Sequence, residues 1–134
     1  GERDVTKSIS VEISPGELID KITILEIKLD RIEDTEKVNN VRTEWEILTE
    51  SRDNALPQSD ELSDLTKQLG AINEQLWVIE DDIRDCERAR DFGEKFIELA
   101  RSVYIVNDKR AALKGEINAL LGSMIREEKS YAAY

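Results

Sequence analysis

An all-α fold, an antiparallel bundle of three to four long helices with coiled-coil-like packing, is what this sequence predicts. Three observations carry that expectation. From Asp60 to Arg90 the apolar residues Leu62, Leu65, Leu69, Ile72, Leu76, Ile79, Ile83 and Cys86 alternate steps of three and four without a miss. Such a stripe buries one side of a helix against another helix. The stretch after Gly93 repeats the pattern through Phe96, Leu99, Val103, Val106, Arg110, Leu113, Ile117, Leu120 and Met124, with Arg110 its one polar member. The whole chain of 134 residues holds only two prolines and six glycines, too few tight-turn residues for an all-β architecture.

Taken in order, residues 1–8 are polar and read as a mobile end. Ile9, Val11 and Ile13 alternate with Ser10 and Glu12, the period of a short half-buried strand. A lone strand has no ladder, so it must pair with a second copy or lie extended over the bundle. Ser14-Pro15-Gly16-Glu17 is a helix start: Ser14 caps, Pro15 suits the first helical position and Glu17 completes a capping box. The helix it opens runs to about Glu33 with Leu18, Ile22, Leu25, Leu29 and Ile32 on one stripe, while Ile19, Ile24 and Ile27 point elsewhere. A helix apolar on several sides touches several neighbours, which places it centrally.

The phase breaks at Glu33-Asp34-Thr35. Either one helix kinks there, or two meet at a corner with Asp34 capping the second. The second stripe is Val38, Val41, Trp45 and Leu48, and Trp45 is most simply core. Pro57 ends this element and Ser59 caps the helix over 60–90. Asp91-Phe92-Gly93 forms a turn so short that the last helix, over 94–121, must lie antiparallel to its predecessor. Gly122-Ser123 stops the pattern, and the tail folds back through Met124, Ile125 and Tyr131, with residues 126–134 mobile. Residues 1–134 thus form a single helical domain.

Composition limits function. Thirty acidic against nineteen basic residues leave a net charge of -11, a surface that repels phosphate backbones and anionic lipid. Neither nucleic acid nor membrane is an expected partner. There is no histidine, so the usual general base near neutral pH is missing, and with it catalytic triads and most zinc sites. No cofactor is expected and the chain reads as non-catalytic. A single cysteine, Cys86, makes no intramolecular disulfide and fits the reducing cytoplasm.

The strings SVEISPGELIDKITILEIKLDRI, LWVIEDDIRDCE, DFGEKFIELARSVYIVNDKRAALKGEINALLGS and IREEKSYAAY together resemble a family of small bacterial proteins catalogued only as a domain of unknown function. The resemblance spans Ser10 to Tyr134. It implies a self-contained unit and brings no activity or site residue with it.

Three sets of residues could bear chemistry. Arg110 intrudes into the apolar stripe of the last helix, with Asn107 and Lys114 one turn away on either side. A guanidinium is not buried unpaired, so a carboxylate must reach it, with Glu26, Asp30 and Glu44 the candidates. An ion pair fixing helix register is the plainer account of these residues; a small-anion site at Arg110, Lys114 and Asn107 is the functional one. Asp82 and Asp85 could face Glu17 and Asp20 as spaced carboxylate pairs holding magnesium, broadly as in helical nucleotide hydrolases. Such spacing recurs by chance in so acidic a chain, and Glu80 with Arg84 makes an ordinary surface pair. Ile24, Ile27, Trp77, Arg101 and Tyr104, extended by Ile97 and Ile105, form candidate interface surfaces, against the plainer account that they pack within the chain. The reading these weigh toward is a non-catalytic helical interaction module that forms a homodimer, with a protein partner as a further option. A magnesium-dependent nucleotide hydrolase and the anion site are the alternatives.

Overall fold

Helix α1 (Pro15–Arg31) begins where Ser14 turns from extended backbone and accepts a hydrogen bond from the Glu17 amide. In a computed structural model, which describes residues 7–129 and side chains as far as residue 122, it is followed by α2 (Thr35–Ala55), α3 (Asp60–Ala89) and α4 (Glu94–Lys129). The break after α1 is a true corner. Ile32 is extended, and the Asp34 carboxylate accepts from the Lys37 amide to start α2. Three residues of the link, Ile32 to Asp34, leave helical geometry, so two helices form and not one kinked rod.

Ser59 caps α3 by accepting from the Leu62 amide. At its far end Arg90 adopts the left-handed conformation, with φ 53°. Its amide and that of Asp91 donate to carbonyls of the last turn, and the Asp91 side chain accepts from the Gly93 amide. The chain reverses within this turn and α4 returns along α3.

α1 touches all three other helices, as its surplus of apolar faces requires, whereas α2 packs on α1 alone. The core lies where α1 meets the α3–α4 hairpin: Ile19, Leu62, Leu69, Leu113, Ile117 and Leu121 are buried together, and Leu69 and Ile117 have no exposure at all. A second cluster of Leu76, Ile79 and Val106 continues along the hairpin toward its turn. With 30 residues, α3 is about 45 Å long at about 1.5 Å per residue, against about 25 Å for the 17 residues of α1. The turn end of the hairpin therefore runs past α1, with helix packing on one side only.

Three expectations change. The alternating segment Ile9–Ile13 makes no strand: residues 7–14 carry no regular structure and Ile9, Val11 and Ile13 are exposed, because a single extended segment has no ladder to join. The last helix continues through Gly122 and Ser123 to Lys129. One glycine costs a helix about 1 kcal/mol, which the good helix formers around it outweigh. The proposed fold-back at Tyr131 lies outside the described residues, as do the side chains of Met124 and Ile125. Trp45 is half-buried, and its indole donates to Glu26 at 3.1 Å, so it edges the core.

Gly16 shows how closely α1 meets α4. Its amide donates to Asn118 Oδ1 at 2.7 Å, and a Cβ placed on it would stand 2.5 Å from the Lys114 carbonyl oxygen. Backbone cannot yield as a side-chain tip does. Gly16→Ala is therefore expected to push the start of α1 off α4 and destabilise the fold by about 1–3 kcal/mol, read as a lower urea midpoint with an unchanged slope.

Candidate functional site

Along α1 a second stripe runs beside the apolar one: Gly16, Asp20, Thr23 and Ile27, all buried. Asp20 is only 2% exposed. A carboxylate so placed must be satisfied from every side, and it is. Arg110 on α4 grips it with two guanidinium nitrogens, Nε to Oδ1 at 2.9 Å and Nη2 to Oδ2. Asn73 on α3 donates from Nδ2 to Oδ1 at 2.9 Å, and the same amide reaches Thr23 Oγ1 at 2.9 Å. Thr23 in turn donates to the Asp20 carbonyl at 2.8 Å. Lys114 stands 3.9 Å from Oδ2 and pairs with Glu17 at 2.6 Å. Three helices are thus joined through one carboxylate.

Burial by itself pushes the Asp20 pKa up. The hydrogen bonds from Arg110 and Asn73, with the positive charges of Arg110 and Lys114, more than offset this and hold it below the ordinary aspartate range. The hydrogen bond to Asp20 raises Arg110 in return, against the opposing effect of burial. Asp20 is ionised at neutral pH, and the network is charge-balanced: Arg110 against Asp20, Lys114 against Glu17.

Glu26, Asp30 and Glu44 were the expected partners of Arg110, and none of them is. Glu26 serves Trp45, Asp30 lines a groove of about 330 Å³ between α1 and α3, and Glu44 is exposed. Asp20, by sequence a candidate metal ligand, is instead the residue that holds the arginine. Its helical phase, between the apolar stripe and Thr23, faces α4, where the other three do not. The remaining members of that set are engaged elsewhere or half-exposed: Glu17 pairs with Lys114, Asp85 with Arg88, and Asp82 is half-exposed on α3. Among the described residues no group of three or more acidic or thiol side chains converges as a metal site needs.

The anion set is divided as well. Arg110 and Asn107 line a cleft of about 310 Å³ with Lys28, Asn73, Trp77 and Glu80, whereas Lys114 is not among its lining residues and pairs with Glu17. Arg110 Nη1 lies 3.4 Å from Asn107 Oδ1. Asp20 already engages the Arg110 guanidinium and Glu17 the Lys114 ammonium, which weakens the pull of both on an added anion.

Of the interface residues, Ile27 is buried inside the chain, which corrects its assignment to a free face: it closes the α1–α3 contact. Ile24 and Trp77 are half-buried along the cleft, and the Arg31 guanidinium lies 5.9 Å from the Trp77 ring. Arg101 and Tyr104 are exposed on α4, and Ile97, Tyr104 and Ile105 are 52%, 54% and 46% exposed. Sequence reading missed Asn73 and Thr23. The signal for Thr23 was the three-four spacing of Gly16, Asp20 and Thr23 along α1, and for Asn73 its place four residues after Leu69 and three before Leu76 on the buried side of α3.

A family model described as a family of unknown function matches residues 9–134. No curated protein and no solved structure matches the chain. No helix among the described residues is long and apolar enough to cross a membrane.

Proposed function

We propose, starting from the chain's membership of the family of unknown function DUF6165, that it works as a non-catalytic helical interaction module that pairs with a second copy of itself. The outward side of α4 carries this reading. Opposite the packed stripe of Val106, Leu113 and Ile117, Ile97, Tyr104 and Ile105 present large apolar side chains to solvent on one face. Separate exposed apolar residues are ordinary on any surface; three on one helical face, along a hairpin end that α1 does not cover, are what a helix partner buries. Knobs-into-holes packing of two such hairpins would complete a bundle at that end. The buried network around Asp20 serves this role as the joint that fixes α1 against the hairpin, and calls for no reaction to explain it. A single buried thiol, Cys86, accords with a reducing, cytoplasmic setting.

Light scattering on the purified chain tests this. At tens of micromolar the expected mass is twice 15.3 kDa, and Tyr104→Arg on the exposed face should return it to one chain's mass with its helix content intact. A parent of one chain's mass throughout that range ends the reading.

A further inference from the structure

The outward side of α4 is more than apolar: it is patterned. Ile97, Arg101, Tyr104, Asp108, Ala111 and Gly115 recur in alternating steps of three and four, and every one is exposed. This is a second stripe on the same helix, on the side away from α3. Its charges are placed symmetrically: Arg101 precedes Tyr104 by the same interval at which Asp108 follows Ile105. Among the described residues neither makes an ion pair within the chain.

We infer that two copies of the chain pack α4 against α4 in antiparallel fashion about a two-fold axis beside Tyr104 and Ile105, with Arg101 of each copy opposite Asp108 of the other. This rests on the self-association proposed above and names its surface and register. A two-fold contact is self-complementary, so whatever one copy offers at one end it must accept at the other. The stripe meets that condition. Arg101 finds Asp108 twice, Tyr104 meets its own copy and Ile105 at the axis, and Ile97 finds the small Ala111 and Ala112. At Gly115 an added Cβ would meet nothing within 4 Å. A mid-helix glycine costs about 1 kcal/mol relative to alanine, and packing within the chain does not call for it. In the paired arrangement it leaves room at the end of the contact for the partner's first turn.

Neighbouring registers fare worse. Moving one copy by a single stripe position sets Ile97 against Asp108 in one direction, or Arg101 against Ala111 in the other. Each separates the two opposite charges and puts one against an apolar or neutral group.

Charge reversal tests the register separately from dimerisation. Arg101→Asp and Asp108→Arg, each alone, place like charges opposite one another twice per dimer. Each is expected to weaken the dimer at least tenfold, read by sedimentation equilibrium. The double variant Arg101→Asp, Asp108→Arg should restore it to within about threefold of the parent. Both positions are exposed, so circular dichroism should stay at the parent level. A parent that dimerises while the single reversals have no effect, or while the double variant fails to recover, overturns this register and leaves self-association standing. A parent that never dimerises overturns both.

Discussion

Leu69→Asp is expected to leave the chain unfolded. Leu69 has no exposure and lies where Ile19, Leu113 and Ile117 meet, so α1, α3 and α4 all lose contact with apolar surface if it becomes polar. An ionised carboxylate there has no partner, and burying one without compensation costs more than the roughly 5–15 kcal/mol by which a domain of this kind is stable. Leu69→Ala separates loss of packing from burial of charge: it removes apolar volume only and should cost about 2–5 kcal/mol, leaving a folded but weaker protein. Far-UV circular dichroism with urea titration reads both. A Leu69→Asp chain with the parent's helix content and a cooperative transition would show that the core has been misplaced.

Arg110→Ala should give the second largest loss, about 3–5 kcal/mol at neutral pH, or a Tm lower by roughly 10–20 °C. The cost comes chiefly from Asp20, which stays buried and loses its bidentate partner, keeping Asn73 and the more distant Lys114. The pH dependence separates this from lost packing. In the parent, the folded-state pKa of Asp20 lies below its unfolded value of about 3.9. Its contribution is therefore complete above that value and is lost as pH falls through the lower, folded one. In Arg110→Ala the burial effect dominates and the folded pKa rises above the unfolded value. The variant then loses stability as pH rises between the two, and its deficit against the parent narrows on acidification. Arg110→Met keeps the aliphatic stem but still orphans the carboxylate, so it too should be destabilised. Asp20→Leu with Arg110→Met removes both charges and should recover most of the loss. A deficit unchanged from pH 7 to pH 3 would contradict this account of the network.

The helices were open to reading because they rest on local rules. Ser14, Asp34 and Ser59 cap where their side chains can reach an amide three residues on. Pro57 and the Asp91–Gly93 turn interrupt regular structure without help from the rest of the molecule. The α3–α4 hairpin follows from two matched stripes and a link too short for any arrangement but an antiparallel one. That Arg110 needs a carboxylate was equally legible, since the rule against unpaired buried charge holds in any fold.

Which carboxylate answers it was not. Glu26, Asp30 and Glu44 satisfy the same rule as Asp20, and only the rotation of α1 about its own axis brings Asp20 toward α4. Asn73 reads as a polar flank until α1 lies across it. Gly122 reads as a stop until the helix around it proves strong enough to pass through.

Taken by itself, the amino-acid order determined the all-helical class, the caps at Ser14 and Ser59, the antiparallel hairpin and the need for a counter-charge at Arg110. Each of these depends on contacts within a few residues or on the period of one helix. The tertiary structure alone decided that Asp20, Asn73 and Thr23 form the joint, that Ile27 is enclosed, and that one side of α4 is left facing outward. Those outcomes turn on how helices are rotated and offset against one another, a balance of side-chain shapes summed over the whole core that no single stretch of chain contains.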